Sequence, residues 1–313
     1  MFREQEKIIV VTRKTRLEEL TDRFNTRKQA KFYIEHMQQD FSEYDREHEI
    51  YSSAVKRLRK QLEELGRKVQ SIDWTFLPNF LFGPADAVVT IGRDGLVVNT
   101  AKYLDGQAII AVNPDPERID GILLPFSPEN AVPGVVREVE HRAKYHTVTM
   151  AEVSLNDGQR LLAFNDFYLG QRTHISSRYR ITWHGKTEEQ SSSGVLVSTG
   201  AGSTGWLSST CNMAEAVAGM LLDHHVPRLP PLRLKWDDPR LVFVVREPFR
   251  SKASDVKLSA GLLEAGEVLR FESHMPDGGV IFSDGVEADA LAFNSGAVAL
   301  IRASDRRAKL VAA

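Results

Sequence analysis

Ser198-Thr-Gly-Ala-Gly-Ser-Thr-Gly-Trp206 is the stretch on which the reading of this chain turns. A short apolar run, Val195-Leu-Val197, precedes it, and helix-compatible sequence follows from Leu207 to Leu222. Strand, glycine-rich bend and helix, in that order, aim backbone N–H groups and a helix N-terminus at one point, which suits a phosphate. Gly200, Gly202 and Gly205 permit positive φ and close approach of a ligand to the backbone. Ser198, Thr199, Ser203 and Thr204 add hydroxyls. A Gly/Ser/Thr bend taken alone is more often a surface loop. Its weight comes from the rest of the chain.

The chain has 313 residues, room for one large domain or two of ordinary size. Its formal net charge of -2 gives no global positive field and argues against a nucleic-acid partner. A single cysteine, Cys211, excludes an intramolecular disulfide and fits a reducing compartment. The start, Met1-Phe-Arg-Glu-Gln-Glu-Lys7, lacks the apolar core of a signal peptide. No apolar stretch reaches the roughly 20 residues that span a bilayer. These features predict a soluble cytoplasmic protein with no membrane partner.

Lys7-Ile-Ile-Val-Val-Thr12 reads as a buried first strand. The charged region from Arg13 to Gly66 holds two predicted helices. One is capped by Thr26 with Gln29, and its Ala30, Phe32, Tyr33, Ile34, Met37 and Phe41 include a helix-spaced apolar face. The other runs from Ser42 to Leu65, with Val55, Leu58, Leu62 and Leu65 at helical spacing. Such a stripe suits a partner helix or, more commonly, the inner face of one domain. Ala87-Val-Val-Thr-Ile91 and Ala108-Ile-Ile-Ala-Val112 are further strands, with a helix predicted from Val97 to Leu104. Alternating strands and helices predict a mostly parallel sheet. Near residue 145 the pattern changes to successive strands, with Asn156-Asp-Gly158 and His184-Gly185 as hairpin turns. The predicted architecture is an α/β N-terminal domain, 1–145, plus a β-rich C-terminal domain, 146–313. Asp223 to Pro239, with Pro227, Pro230 and Pro231, reads as an irregular connection.

Chemistry-bearing residues cluster at strand ends. Gly92-Arg-Asp-Gly95 follows a parallel strand, where open α/β sheets place ligands. A carboxylate there can take a proton from a hydroxyl or help position metal-phosphate. Asn165-Asp166 closes a strand after Ala163-Phe164, and Asp284-Gly285 lies in a later β segment. Each pair, taken singly, is more often an ordinary turn dipeptide. Arg246-Glu-Pro248 brings a guanidinium to a strand end, for a phosphate or for a surface ion pair. His174, His184, His224, His225 and His274 have no zinc-like spacing, so no metal cage is assigned.

The order of these pieces resembles the NAD kinase family, within the superfamily that includes diacylglycerol and sphingosine kinases. The resemblance runs from about Ala87 to the C-terminus. Asn113-Pro-Asp-Pro-Glu-Arg118, Ser192-Ser-Gly194 and Arg246-Glu-Pro248 are most similar to its organellar branch. It implies a general-base role for Asp94, acting on the 2′-hydroxyl of the adenosine ribose of NAD. It implies nucleotide binding by Gly92, Arg93, Gly95, Asn165, Asp166, Thr199, Gly200, Gly202, Ser203, Thr204 and Asp284. It further implies ATP with Mg²⁺ as phosphoryl donor, NAD as substrate, and a homodimer or higher homo-oligomer. Arg93 replaces a family glycine, Leu96 a threonine and Asp166 a glutamate. Two alternatives stay open: a catalytically degenerate sensor of NAD, NADP or another nucleotide, and a kinase of the superfamily with a lipid or other acceptor.

Overall fold

The computed structural model describes residues 7–222 and 232–313. Pro227, Pro230, Pro231, His224 and His225 lie outside the described residues, as does the chain start before Lys7. The chain forms two compact units. One comprises the residues up to His146 together with Lys309–Ala313, and the other Thr147–Ala308.

The first unit contains β1 (Ile8–Thr12), α1 (Arg16–Phe24), α2 (Arg27–His36), α3 (Ser42–Glu63), β2 (Val69–Asp73), β3 (Ala87–Ile91), α4 (Asp94–Ala101), β4 (Ala108–Val112) and α5 (Ala131–Val139). The strand order is β2-β1-β3-β4, all parallel. β1, β3 and β4 are apolar almost throughout, as strands covered on both faces must be. Ala54, Leu58 and Leu62 of α3 and Ala131 and Val135 of α5 pack against Ile8, Val10, Val89, Ile91, Ile110 and Val112. The stripe on α3 is thus the inner face of its own unit.

The charged region holds three helices where the sequence pattern predicts two. α1 is opened by a capping box: the Thr15 hydroxyl accepts from the Glu18 N–H while Glu18 accepts from the Thr15 N–H. The helix also carries a short apolar period, Leu17, Leu20 and Phe24, which faces α2 and which the surrounding charges obscured. Thr26 caps α2 as expected. Of the apolar residues there, Phe32 and Met37 are 72% and 56% exposed and lie off the inner face. Ala30, Ile34 and Phe41 bury themselves with Leu17 of α1. α4 begins at Asp94, three residues ahead of the predicted Val97. α5 is unpredicted; its Pro133 sits in the first turn, where a missing N–H costs nothing.

The second unit is antiparallel. Its elements are β5 (Tyr145–Leu155), β6 (Arg160–Ala163), β7 (Asp166–Gln171), β8 (Ser177–Trp183), β9 (Lys186–Ser192), β10 (Val195–Ser198), α6 (Trp206–Leu221), β11 (Leu241–Val245), β12 (Ala260–Leu263), β13 (Leu269–Ser273), β14 (Gly279–Ser283), β15 (Val286–Ala292) and β16 (Val298–Val311). The first residue pair of β5 and the last three residues of β16 belong to the first unit, where Lys309 and Leu310 pair in parallel with Ala108 and Ile109 of β4. One sheet carries β16-β13-β8-β9 with β5 and β6, and the other runs β12-β11-β10-β7-β14-β15. Phe167, Val195, Val197, Phe243 and Ile281 from one meet Tyr179, Ile181 and Phe271 from the other in a shared core. Leu196 points to the opposite face of β10, where it packs with Leu207 of α6 and Val242. That double covering is why Val195-Leu-Val197 reads as unbroken apolar sequence. Both predicted hairpin turns form: β5 pairs antiparallel with β6, and His184 and Gly185 take φ 50° and 71° between β8 and β9.

Candidate active site

In the first unit the Gly92–Gly95 motif is the bend between β3 and α4. The Gly92 N–H donates to the Val112 carbonyl at 3.1 Å, which holds the bend against the end of β4. A Cβ on Gly92 would sit 2.9 Å from Leu96 Cδ2, so the glycine makes room for that buried leucine. Arg93 has φ −92°, so an arginine there carries no left-handed strain. Its guanidinium is exposed and makes no ion pair or hydrogen bond with a described residue. Asp94 is the first helical residue of α4. One carboxylate oxygen accepts from the Leu123 N–H at 3.0 Å and the other from the Ile122 N–H at 3.3 Å. These contacts orient the group and leave each oxygen a further lone pair. The loop that supplies them is itself held by Asn113, whose side chain donates to the Ile119 carbonyl at 2.8 Å and accepts from the Asp115 N–H at 3.0 Å.

In the second unit the structure brings Asn165, Asp166, Thr199, Gly202 and Asp284 together around one turn. The Asp284 carboxylate accepts from the N–H groups of Phe164 (2.9 Å), Asn165 (2.6 Å) and Asp166 (3.2 Å). The Thr199 N–H donates to the Asn165 carbonyl at 2.8 Å, and its hydroxyl donates to the Phe164 carbonyl at 2.6 Å. With its backbone so engaged, this turn leaves two side chains unpaired. The Asn165 amide and the Asp166 carboxyl make no hydrogen bond with a described residue. Asp166 is only 7% exposed. Burial, with the Asp284 charge beside it, pushes its carboxyl up to about 7. Asp166 begins β7; it does not close the preceding strand as the sequence pattern predicts.

The glycine bend differs from its sequence reading. Ala201–Thr204 forms a turn of 3₁₀-helix, and Gly200, Gly202 and Gly205 do not take positive φ. Two of these glycines exist for close backbone packing. A Cβ on Gly200 would lie 1.9 Å from the Lys235 carbonyl oxygen, and one on Gly202 2.2 Å from that of Asn165. The hydroxyls of Thr199 and Ser203 are buried and donate to the backbone; Ser203 bonds the Gly200 carbonyl at 2.7 Å. Thr204 is exposed.

Sequence reasoning missed an aromatic shelf nearby. Tyr168 stacks on Trp206 at 5.9 Å and on Phe282 at 5.0 Å between centroids. The Arg246 guanidinium lies 5.3 Å from the Trp206 ring centroid. These groups border a cavity of about 340 Å³, with Arg172, His174 and Glu287 on its rim. Trp206 closes the quoted motif, and this was the signal available. Tyr168 was hidden because β7 was not predicted.

No protein-family model matches the sequence, and neither does any curated protein. Solved structures do match. An NAD kinase from Archaeoglobus fulgidus in complex with ATP superposes with a TM-score of 0.55 at 18% identity, over 97% of this chain and 92% of that one. Yeast NADH kinase complexed with NADH gives 0.56 at 14% identity, over 100% and 85%. The chain therefore has the two-domain NAD kinase fold, an α/β domain joined to an antiparallel one.

Proposed function

We propose that this chain, which carries the NAD kinase fold, is an NAD kinase. It transfers the terminal phosphoryl group of Mg-ATP to the 2′-hydroxyl of the adenosine ribose of NAD, giving NADP and ADP. The observation that carries this reading is the Asn165–Asp166 turn. Its backbone is fully engaged, yet it presents an unpaired amide and a buried, unpaired carboxyl. A buried carboxyl without a protein partner calls for a hydrogen-bonding ligand, and ribose hydroxyls supply what it lacks. The aromatic shelf of Tyr168, Trp206 and Phe282 suits a planar ring such as nicotinamide.

Asp94 takes the proton from the 2′-hydroxyl as its oxygen bonds to the γ-phosphorus. The bond from that phosphorus to the bridging oxygen breaks, and ADP leaves with the electron pair. Gly92, Arg93 and Gly95 hold donor phosphates, and the bend at Thr199–Thr204 fixes the turn that binds ribose. Among the described residues no group of three His, Cys, Asp or Glu side chains could hold a metal. In this reading Mg²⁺ enters on the donor as part of the substrate. The relaxed backbone at Arg93 favours a working site over a degenerate sensor. On the same reading the protein acts in the cytoplasm as a homodimer or higher oligomer. The test is direct: purified protein with Mg-ATP and NAD, or NADH, is assayed for the 2′-phosphorylated product. No product with either acceptor overturns the proposal.

A further inference from the structure

Tyr51 joins the helical region to the bend that carries Asp94. It stands on α3 at helical spacing from the buried Ala54, Leu58 and Leu62, and its ring packs against the same core. A tyrosine suits the end of that stripe. Its ring packs like the apolar residues behind it, while its hydroxyl reaches the polar backbone at the strand ends.

There it enters the sheet itself. β1 and β3 pair in parallel, with Ile8 opposite Ala87 and Val11 opposite Thr90. The Ala87 N–H donates to the Lys7 carbonyl at 2.9 Å, which sets the phase of the ladder. Rungs recur along it with the two-residue repeat of a strand. The next rung past the paired stretch would run from the Arg13 N–H to the Ile91 carbonyl. The Tyr51 hydroxyl is inserted into that rung, accepting from the Arg13 N–H at 3.0 Å and donating to the Ile91 carbonyl at 3.1 Å. One hydroxyl can do both at once. Burial pushes it up to about 12, so it stays a donor.

The Ile91 carbonyl and the Gly92 N–H are the two ends of one planar peptide unit. Tyr51 holds the carbonyl end, and the N–H end donates to the Val112 carbonyl at 3.1 Å. That plane opens the bend, and Asp94 follows as the first residue of α4. Rotating the plane carries Asp94 with it. We infer that Tyr51 is a positioning residue for Asp94: its hydroxyl bridge between β1 and β3 fixes the Ile91–Gly92 peptide, and through it the aim of the general base at the acceptor hydroxyl. This rests on the kinase reading above and gives α3 a part in the reaction, without contact to substrate.

The test is Tyr51→Phe in the full chain. The ring stays and the bridge goes. The Arg13 N–H and the Ile91 carbonyl then lose their partner or close on each other, and the peptide turns in either case. NADP formation at saturating substrates should fall about tenfold or more, because a small misplacement of a reacting group is enough for that. The KM for NAD should be unchanged, and the melting temperature should drop by no more than about 4 °C. On an Asp94→Asn background, Tyr51→Phe should cost no further turnover, since the hydroxyl acts only through Asp94. A plain loss of folded protein would instead multiply with the first loss. Amide hydrogen exchange needs no activity; in Tyr51→Phe it should quicken at Gly92 and stay unchanged at Val195, Leu196 and Val197. Unchanged turnover in Tyr51→Phe, a multiplied loss in the double variant, or unchanged exchange at Gly92 each overturns the inference. If the wild type makes no NADP while Tyr51→Phe still quickens exchange at Gly92, the bridge holds the bend as inferred and the kinase reading fails.

Discussion

The Asp284 carboxylate sits 2.6 Å from the backbone nitrogen of Asn165, although 119 positions separate them in sequence. The same carboxylate also takes the N–H groups of Phe164 and Asp166. Asp284 itself lies at φ 56°, with Gly285 at 71°, in the tight turn between β14 and β15. An Asp-Gly pair expected to contact nucleotide here builds the turn that carries Asn165 and Asp166.

Asp284→Ala strands three backbone donors. We expect a loss of about 3 kcal/mol or more in denaturant unfolding, because hydrogen bonds to a charged acceptor contribute about 1.5–3 kcal/mol each. Alanine also tolerates the left-handed backbone poorly. A variant within experimental error of wild type would mean that the turn holds without the carboxylate.

Asp166 makes stability depend on pH. Its carboxyl is raised from 3.8 to about 7 by burial, then by the Asp284 charge. The native state therefore holds a proton that the unfolded chain releases. Stability should be greatest at the acid end of that window and decline as pH rises from 3.8 to about 7. Asp166→Asn, which cannot ionise, should remove this slope. A slope unchanged in the variant assigns it to another group.

The glycines divide into two kinds. Gly202→Ala drives a Cβ to 2.2 Å from the Asn165 carbonyl oxygen and should destabilise by about 1–3 kcal/mol. Gly95 has no atom within 4 Å of its virtual Cβ and lies in the first turn of α4. Gly95→Ala should leave stability equal or up to about 1 kcal/mol higher. If Gly95 serves close approach to phosphate, NADP formation falls about tenfold or more all the same. Full turnover in Gly95→Ala would remove that residue from phosphate binding.

Asp94→Asn keeps an oxygen to accept one of the two loop N–H groups but cannot take a proton. Turnover should drop about 10²–10⁴-fold, the usual worth of a general base, with little change in melting temperature. Retained turnover would exclude Asp94 from that role.

Element type was legible wherever composition and period agreed. β1, β3, β4 and β10 announced themselves as β-branched apolar runs because they are covered on both faces. Asn156-Asp-Gly158 and His184-Gly185 announced their turns because positive φ has few willing residues. What stayed hidden had little local signature or none. β9, Lys186-Thr-Glu-Glu-Gln-Ser-Ser192, is polar enough to read as loop and is a strand because it zips against β8. α1 lies in a run of charges, and its marks are short: one capping box and the three apolar residues Leu17, Leu20 and Phe24.

By itself the sequence determined the apolar strands and the long helix α3, which dipeptides must turn, and which short motifs carry carboxylates and glycines at strand ends. Those are properties of neighbouring residues: side-chain period, backbone freedom and local capping. Only the tertiary structure decided that Thr199 and Ser203 spend their hydroxyls on backbone, that Gly202 yields space to Asn165, and that Asp284 holds the turn that leaves Asp166 buried and unpaired. Each of these depends on which carbonyl or N–H arrives from a distant part of the chain, and hydrogen-bond partners of that kind are fixed by packing.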